Sequence, residues 1–237
     1  MKIKNNTIKL VLLLICLIFL YSLSKNGDIF FPTFFIISSI ILMVKSSSMK
    51  KKDIIIAVIL GVVSLNPTYG FCSIFGYIGA KSFFNSTKHK IEVLPKSLKE
   101  IFIFGFIGTT ILSSINTIWM LTDVPINFSL NGNAVIMGLI AGIPEEILFK
   151  YLLFAICVYI VGDKKFTKMQ TVLCYLIMII PHVLKHYPSF SAIGIGNFLL
   201  MCFFGFSFTY IQKKSCLTVA IGVHFMVDYL RFIIFGV

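Results

Sequence analysis

The sequence predicts an all-α fold, a polytopic transmembrane helical bundle of about seven or eight helices. Of its 237 residues 58% are hydrophobic and only 13% charged, a balance that leaves a soluble domain of this size without enough polar surface. The apolar residues also fall into long runs separated by short polar loops. At roughly 20 apolar residues per crossing, those runs use up the chain, so one membrane domain is expected.

Hydropathy places the helices at 8–23, 29–45, 54–80, 100–121, 134–161, 168–187, 193–211 and 216–236. The first follows Lys2, Lys4 and Lys9 and has no small-residue cleavage site behind it, so it reads as an anchor rather than a signal peptide. The third is long and is interrupted by Asn66-Pro67 and Gly70, which leaves open a kinked helix or a re-entrant pair. The loops Lys45 to Lys52, Lys81 to Lys99, Asp163 to Lys168 and Gln212 to Ser215 are Lys-rich, whereas Leu121 to Asn133 has no Lys or Arg. The positive-inside rule then puts the N-terminus in the cytoplasm, provided that residues 54–80 begin and end on that side. This condition favours the re-entrant or hairpin reading over a kinked helix.

The net charge of +12 therefore reports topology and contact with anionic lipid. No interleaved aromatic and basic module accompanies it, and no nucleic-acid partner is expected. The six cysteines, Cys16, Cys72, Cys157, Cys174, Cys202 and Cys216, lie in apolar segments without a CxxC pair and read as small core residues.

Six of the nine acids, Asp28, Asp53, Glu92, Glu100, Asp123 and Asp163, fall in loops or at helix ends, where solvation makes them cheap. The first hundred residues accordingly carry no expected buried charge and read as support for the rest or as a substrate gate. Glu145, Glu146 and Asp228 lie inside apolar segments, as do His182, His186 and His224, whereas His89 is in a loop. An ionisable group at bilayer depth costs at least about 2.5 kcal/mol, so several in consecutive helices point to a site. The plainer alternative is pairing between charges, for example Glu146 with Lys150 one turn later, and single histidines bonded to carbonyls.

Counting about 1.5 Å per residue from the cytoplasmic end puts Glu146, His182 and Asp228 at about 20–22 Å and His224 at about 14 Å. His186 comes out at about 27 Å, nearer the outer surface. His224 and Asp228 are four apart and share a helical face, as do His182 and His186. Gly138 and Gly142 form a small-xxx-small patch that reads as plain helix packing.

Two adjacent carboxylates with two or three imidazoles can activate water, as ligands to a divalent metal or as a general base with imidazole donors. Hydrolysis is the simplest use. No serine or cysteine carries a nucleophile signature.

The run Pro144-Glu145-Glu146-Ile147-Leu148-Phe149-Lys150, a histidine on the next helix, and His224-Phe225-Met226-Val227-Asp228 together resemble the CPBP family of intramembrane proteases (CAAX protease and bacteriocin-processing, also called Abi). That family carries EExxxR, FxxxH and HxxxN/D motifs in its last four helices. The resemblance spans about residues 100–236, and it implies accessory helices over 1–98 and a catalytic core over 99–237. It implies Glu145 and Glu146 as the acid pair, one of them activating water. His182 and His224 would polarise the scissile carbonyl or bind metal, with Asp228 supporting His224. Glu146, His182 and His224 are one candidate metal set, zinc by donor type, although the family has also been read as metal-free glutamic peptidases.

Three departures stand out. Lys150 occupies the position of the family's Arg and lacks its bidentate fork. Met178 stands where Phe precedes His182, whereas aligning on His186 puts His182 there, so the second-motif histidine stays open between the two; depth favours His182. Asp228, in place of Asn, cannot donate unless protonated, which suits metal binding or orientation of His224.

The leading expectation is an integral membrane endopeptidase of a prokaryotic plasma membrane. It would act on a membrane-protein or peptide substrate, such as a leader or signal peptide, a bacteriocin, or a prenylated CAAX-type protein. A non-catalytic scaffold or bacteriocin self-immunity factor with a membrane protein partner is the second expectation, and a proton- or ion-coupled transporter the third.

Overall fold

The computed structural model describes residues 2–24, 29–46, 49–130, 132–162 and 164–236. The expected loop acids Asp28 and Asp163 lie outside these residues. The described chain is helical throughout, without strands: α1 (Lys2–Ser24), α2 (Phe30–Lys45), α3 (Lys51–Val63), α4 (Pro67–Phe84), α5 (Leu98–Met120), α6 (132–161), α7 (Lys168–Lys185), α8 (Ile195–Lys214) and α9 (Leu217–Phe235). Apolar stretches in α1, α5, α8 and α9 are each long and apolar enough to cross a membrane.

The third expected segment resolves into the α3–α4 hairpin. The chain turns at Leu65, whose φ of +53° is left-handed, and Asn66 then caps α4 by accepting from the Tyr69 amide at 2.9 Å, with Pro67 in the first helical position. Glycines let the two helices touch. A Cβ on Gly70 would lie 2.5 Å from the Gly61 carbonyl oxygen, so neither arm tolerates a larger residue there.

Cross-links between loops place the basic segments at one end of the bundle. The Asn6 side chain donates to the Val161 carbonyl at the end of α6, and His89 Nε2 donates to the Lys164 carbonyl at 2.8 Å. The Leu217 and Thr218 amides, which the first turn of α9 leaves without helical acceptors, donate to the Glu92 and Val93 carbonyls. The start of α3 meets the end of α4 at that same end, where Asn85 donates to Asp53. At the opposite end the Asn127 and Ser129 amides donate to the last carbonyls of α9. The hairpin thus begins and ends at the basic end, as the charge pattern required.

Asp53 corrects one expectation. It is not a solvated loop acid but 4% exposed, in the first turn of α3, so the N-terminal part does contain a buried charge. The α3–α4 packing covers it, a neighbour that local hydropathy does not reveal.

The N-terminal helices pack directly on α6. Phe31 and Phe35 meet Phe149 edge to face with ring centroids 5.6 and 5.1 Å apart, and Tyr77 stacks on Tyr151 at 5.9 Å. On the other side, Gly138 and Gly142 admit α9: a Cβ on Gly142 would be 3.1 Å from the Phe225 amide nitrogen. This contact fixes the height of the neighbouring His224 against the glutamates.

Candidate active site

The two glutamates lie where α6 changes its winding. Pro144 has no N–H to give to the Ile140 carbonyl, and from Glu146 to Leu152 the helix relaxes into a π-helical turn. Gln212 of α8 reaches into this stretch, its amide donating to the Glu146 carbonyl at 3.1 Å. Successive residues on a helix point about 100° apart, so Glu145 and Glu146 cannot face the same space. They do not.

Glu145 lines a cavity of about 440 Å³ together with His182, His186, His224 and Asp228. Its Oε2 lies 2.6 Å from His182 Nε2 and 3.4 Å from His224 Nε2, and its Oε1 lies 4.0 Å from His186 Nε2. A carboxylate only accepts, so with Glu145 ionised His182 Nε2 donates to it. The two α7 histidines are 3.4 Å apart, and Phe149 packs on the His182 ring at 5.4 Å.

Glu146 faces the protein interior. It is fully buried and absent from the cavity wall, with Oε1 2.6 Å from Lys150 Nζ and 2.9 Å from His224 Nδ1. His224 therefore bridges the two acids: Nδ1 donates inward to Glu146, whereas Nε2 turns to Glu145 and to Asp228 Oδ2 at 3.6 Å. Phe208 stacks on its ring at 4.3 Å and 14°, holding it in plane. Asp228 is met on its other side by Arg231 at 3.7 Å.

All seven residues singled out from the sequence thus come together, with a changed division. The suggested metal set of Glu146, His182 and His224 does not share one open space, because Glu146 is turned away. Glu145, His182 and His186 instead offer ligand atoms within 4.8 Å of one another. Two imidazoles and a carboxylate form the donor set of many catalytic zinc sites, so the residues present fit a divalent ion. His186, which the depth count put near the surface, is the C-cap of α7 and is 40% exposed at its side chain, yet it lines the cavity.

Gln212 and Arg231 were missed. Gln212 looked like the start of a loop. Arg231 is the chain's single arginine, set within the last apolar segment, and it carries the same insertion cost as the buried acids.

Residues 127–230 match the Rce1-like family model, described as type II CAAX prenyl endopeptidase Rce1-like. The CPBP resemblance holds over this segment. The CAAX protease match takes in α6 to α8 and most of α9, less than half of the chain, and contains every residue of the acid and imidazole cluster. It supports an intramembrane endopeptidase with a peptide or protein substrate. No curated protein and no solved structure matches the chain.

Proposed function

We propose that this protein is an intramembrane endopeptidase in which Glu145 activates the water that attacks a peptide bond. The observation that carries this reading is the Glu145 carboxylate, lining the cavity and set within 3.4 Å of imidazole nitrogens from two other helices.

In this reading Glu145 takes a proton from a water beside the scissile carbonyl, the water oxygen bonds to the carbonyl carbon, and the C–N bond breaks as Glu145 returns the proton to the leaving amine. His182 holds Glu145 in position through its Nε2–H, and His186 offers a donor to the developing oxyanion. Glu146 and Asp228 orient His224 from opposite sides. Lys150 neutralises Glu146, the task that the family's Arg would perform, which supports catalysis over a non-catalytic scaffold. Alternatively Glu145, His182 and His186 would hold a divalent ion, zinc by donor type, in place of the His182–Glu145 hydrogen bond; the ion would then supply the polarisation of the scissile carbonyl, with Glu145 a ligand and not the base.

Residues 1–98 serve as accessory helices that brace α6 over the core of 99–237. The basic end faces the cytoplasm of a prokaryotic plasma membrane, with the N-terminus inside. The substrate is a membrane-associated leader, signal, bacteriocin or CAAX-type peptide.

The test compares membrane and secreted peptides from cells carrying wild type, Glu145→Ala and His182→Ala, at protein levels matched by immunoblot. A product lost in both variants is expected. Identical peptide profiles in all three strains would overturn the proposal.

A further inference from the structure

The cavity that Glu145 lines takes part of its wall from outside residues 127–230, the segment that matches the CAAX protease family. Asn66 and Tyr69 reach it from the α3–α4 hairpin and Asn116 reaches it from α5, whereas the acids and imidazoles all come from α6, α7 and α9. Asn66 and Asn116 are half-buried carboxamides, and the activation of water uses neither.

Asn66 sits at a depth where a polar side chain needs a reason. The 13 residues of α3 rise about 20 Å, short of the roughly 30 Å hydrocarbon core, so the hairpin turns before it has crossed. Irregular backbone at that depth persists where protein buries it or where it lines a hydrated cavity. Val62, Leu65 and Phe71, all more than half exposed, give the tip an apolar outer side, while Asn66 meets the cavity. Its Oδ1 accepts from the Tyr69 amide at 2.9 Å, which fixes the carboxamide and leaves the NH2 end as its donor.

Asn116 arrives from the other side of α6, because α5 packs on α9 whereas the hairpin packs on α2 and α6. A Cβ on Gly105 would lie 3.9 Å from Val219 Cγ1, and an equal count along both helices brings Asn116 level with Leu230, just past Asp228. A carboxamide carries a donor and an acceptor side by side. Asn116 can therefore meet both the N–H and the C=O of one extended residue, and Asn66, its oxygen committed to the cap, donates to a carbonyl. Main-chain bonds of this kind hold a peptide without reading its side chains.

We propose that Asn66 and Asn116 bind the backbone of the substrate on either side of the scissile bond and hold it extended across Glu145. This rests on the reading of the cavity as a peptidase site, and it gives the chain before residue 127 a part in positioning substrate beyond bracing α6. The substrate class follows: a segment that is extended or unwound, because a helical backbone has already paired the groups that the two carboxamides would meet.

The test reads binding apart from cleavage. Full-length protein carrying Glu145→Gln, in detergent micelles, is titrated with a fluorescein-labelled, amidated peptide of alternating leucine and alanine, followed by anisotropy. Asn66→Asp keeps the cap acceptor and removes only the donor, Asn66→Ser does so without the added charge, and Asn116→Leu keeps the size. Each is expected to weaken binding about fivefold with an unchanged melting temperature. The same peptide with alternate amides replaced by esters, which lack the N–H, should show a smaller loss with Asn116→Leu. Equal affinity in all the variants, an equal loss with both peptides, or no binding by the Glu145→Gln parent overturns the proposal. Failure of the peptidase reading looks different: cellular peptide profiles that Glu145→Ala leaves unchanged, while the asparagine variants still weaken binding.

Discussion

His224 Nδ1 lies 2.9 Å from Glu146 Oε1, so one imidazole of α9 is anchored by an acid that does not itself reach the cavity. The adjacent glutamates thereby occupy two different surroundings, and the tasks proposed for them can be tested.

Glu145→Gln should leave the fold intact and remove peptide cleavage by at least about a hundredfold, the usual contribution of a general base. Glu146→Ala should behave differently. It leaves Lys150 buried without its carboxylate and should lower stability by about 3–5 kcal/mol, visible as a lower melting temperature in detergent. Equal melting of the two variants would count against the division.

Lys150 and Glu146 form an ion pair at zero exposure, so their deletions should not add. Lys150→Met alone strands an acid and should destabilise strongly, while Lys150→Met with Glu146→Gln should regain part of that loss. A double-mutant cycle by thermal melting measures it. A coupling energy near zero would show that the two charges are solvated separately.

Gly142→Val places a branched side chain where a Cβ already approaches the Phe225 amide to 3.1 Å. Overpacking of this kind typically costs about 1–3 kcal/mol. Because His224 precedes Phe225, cleavage should fall by more than stability alone explains. The readout is activity at matched folded fraction, with Gly132→Val, which meets nothing within 4 Å, as the control.

Gln212→Leu removes the donor to the Glu146 carbonyl in the π-helical turn. Losing this buried hydrogen bond should cost about 0.5–1.5 kcal/mol. A positioning role adds a fall in kcat with KM little changed, and rescue by Gln212→Asn when substrate is saturating. A loss confined to melting temperature would assign Gln212 to structure alone.

The sequence by itself determined the membrane class, the all-helical fold, the basic loops and the acids and imidazoles of the polar cluster, but not Gln212 or Arg231. Each of these rests on a large one-dimensional signal: the insertion cost of charge, the length of apolar runs, or spacing on one helical face. It did not determine which glutamate meets the cavity. Neighbouring residues differ only in direction about the helix axis, and the Pro144 kink, the π-helical turn and the Gly142–Phe225 contact set that direction jointly. Asp53 escaped for a similar reason, since its cover comes from α4. His186 was placed by a straight-helix count, but its reach to Glu145 depends on how α7 ends beside α6, and only packing between helices decides that.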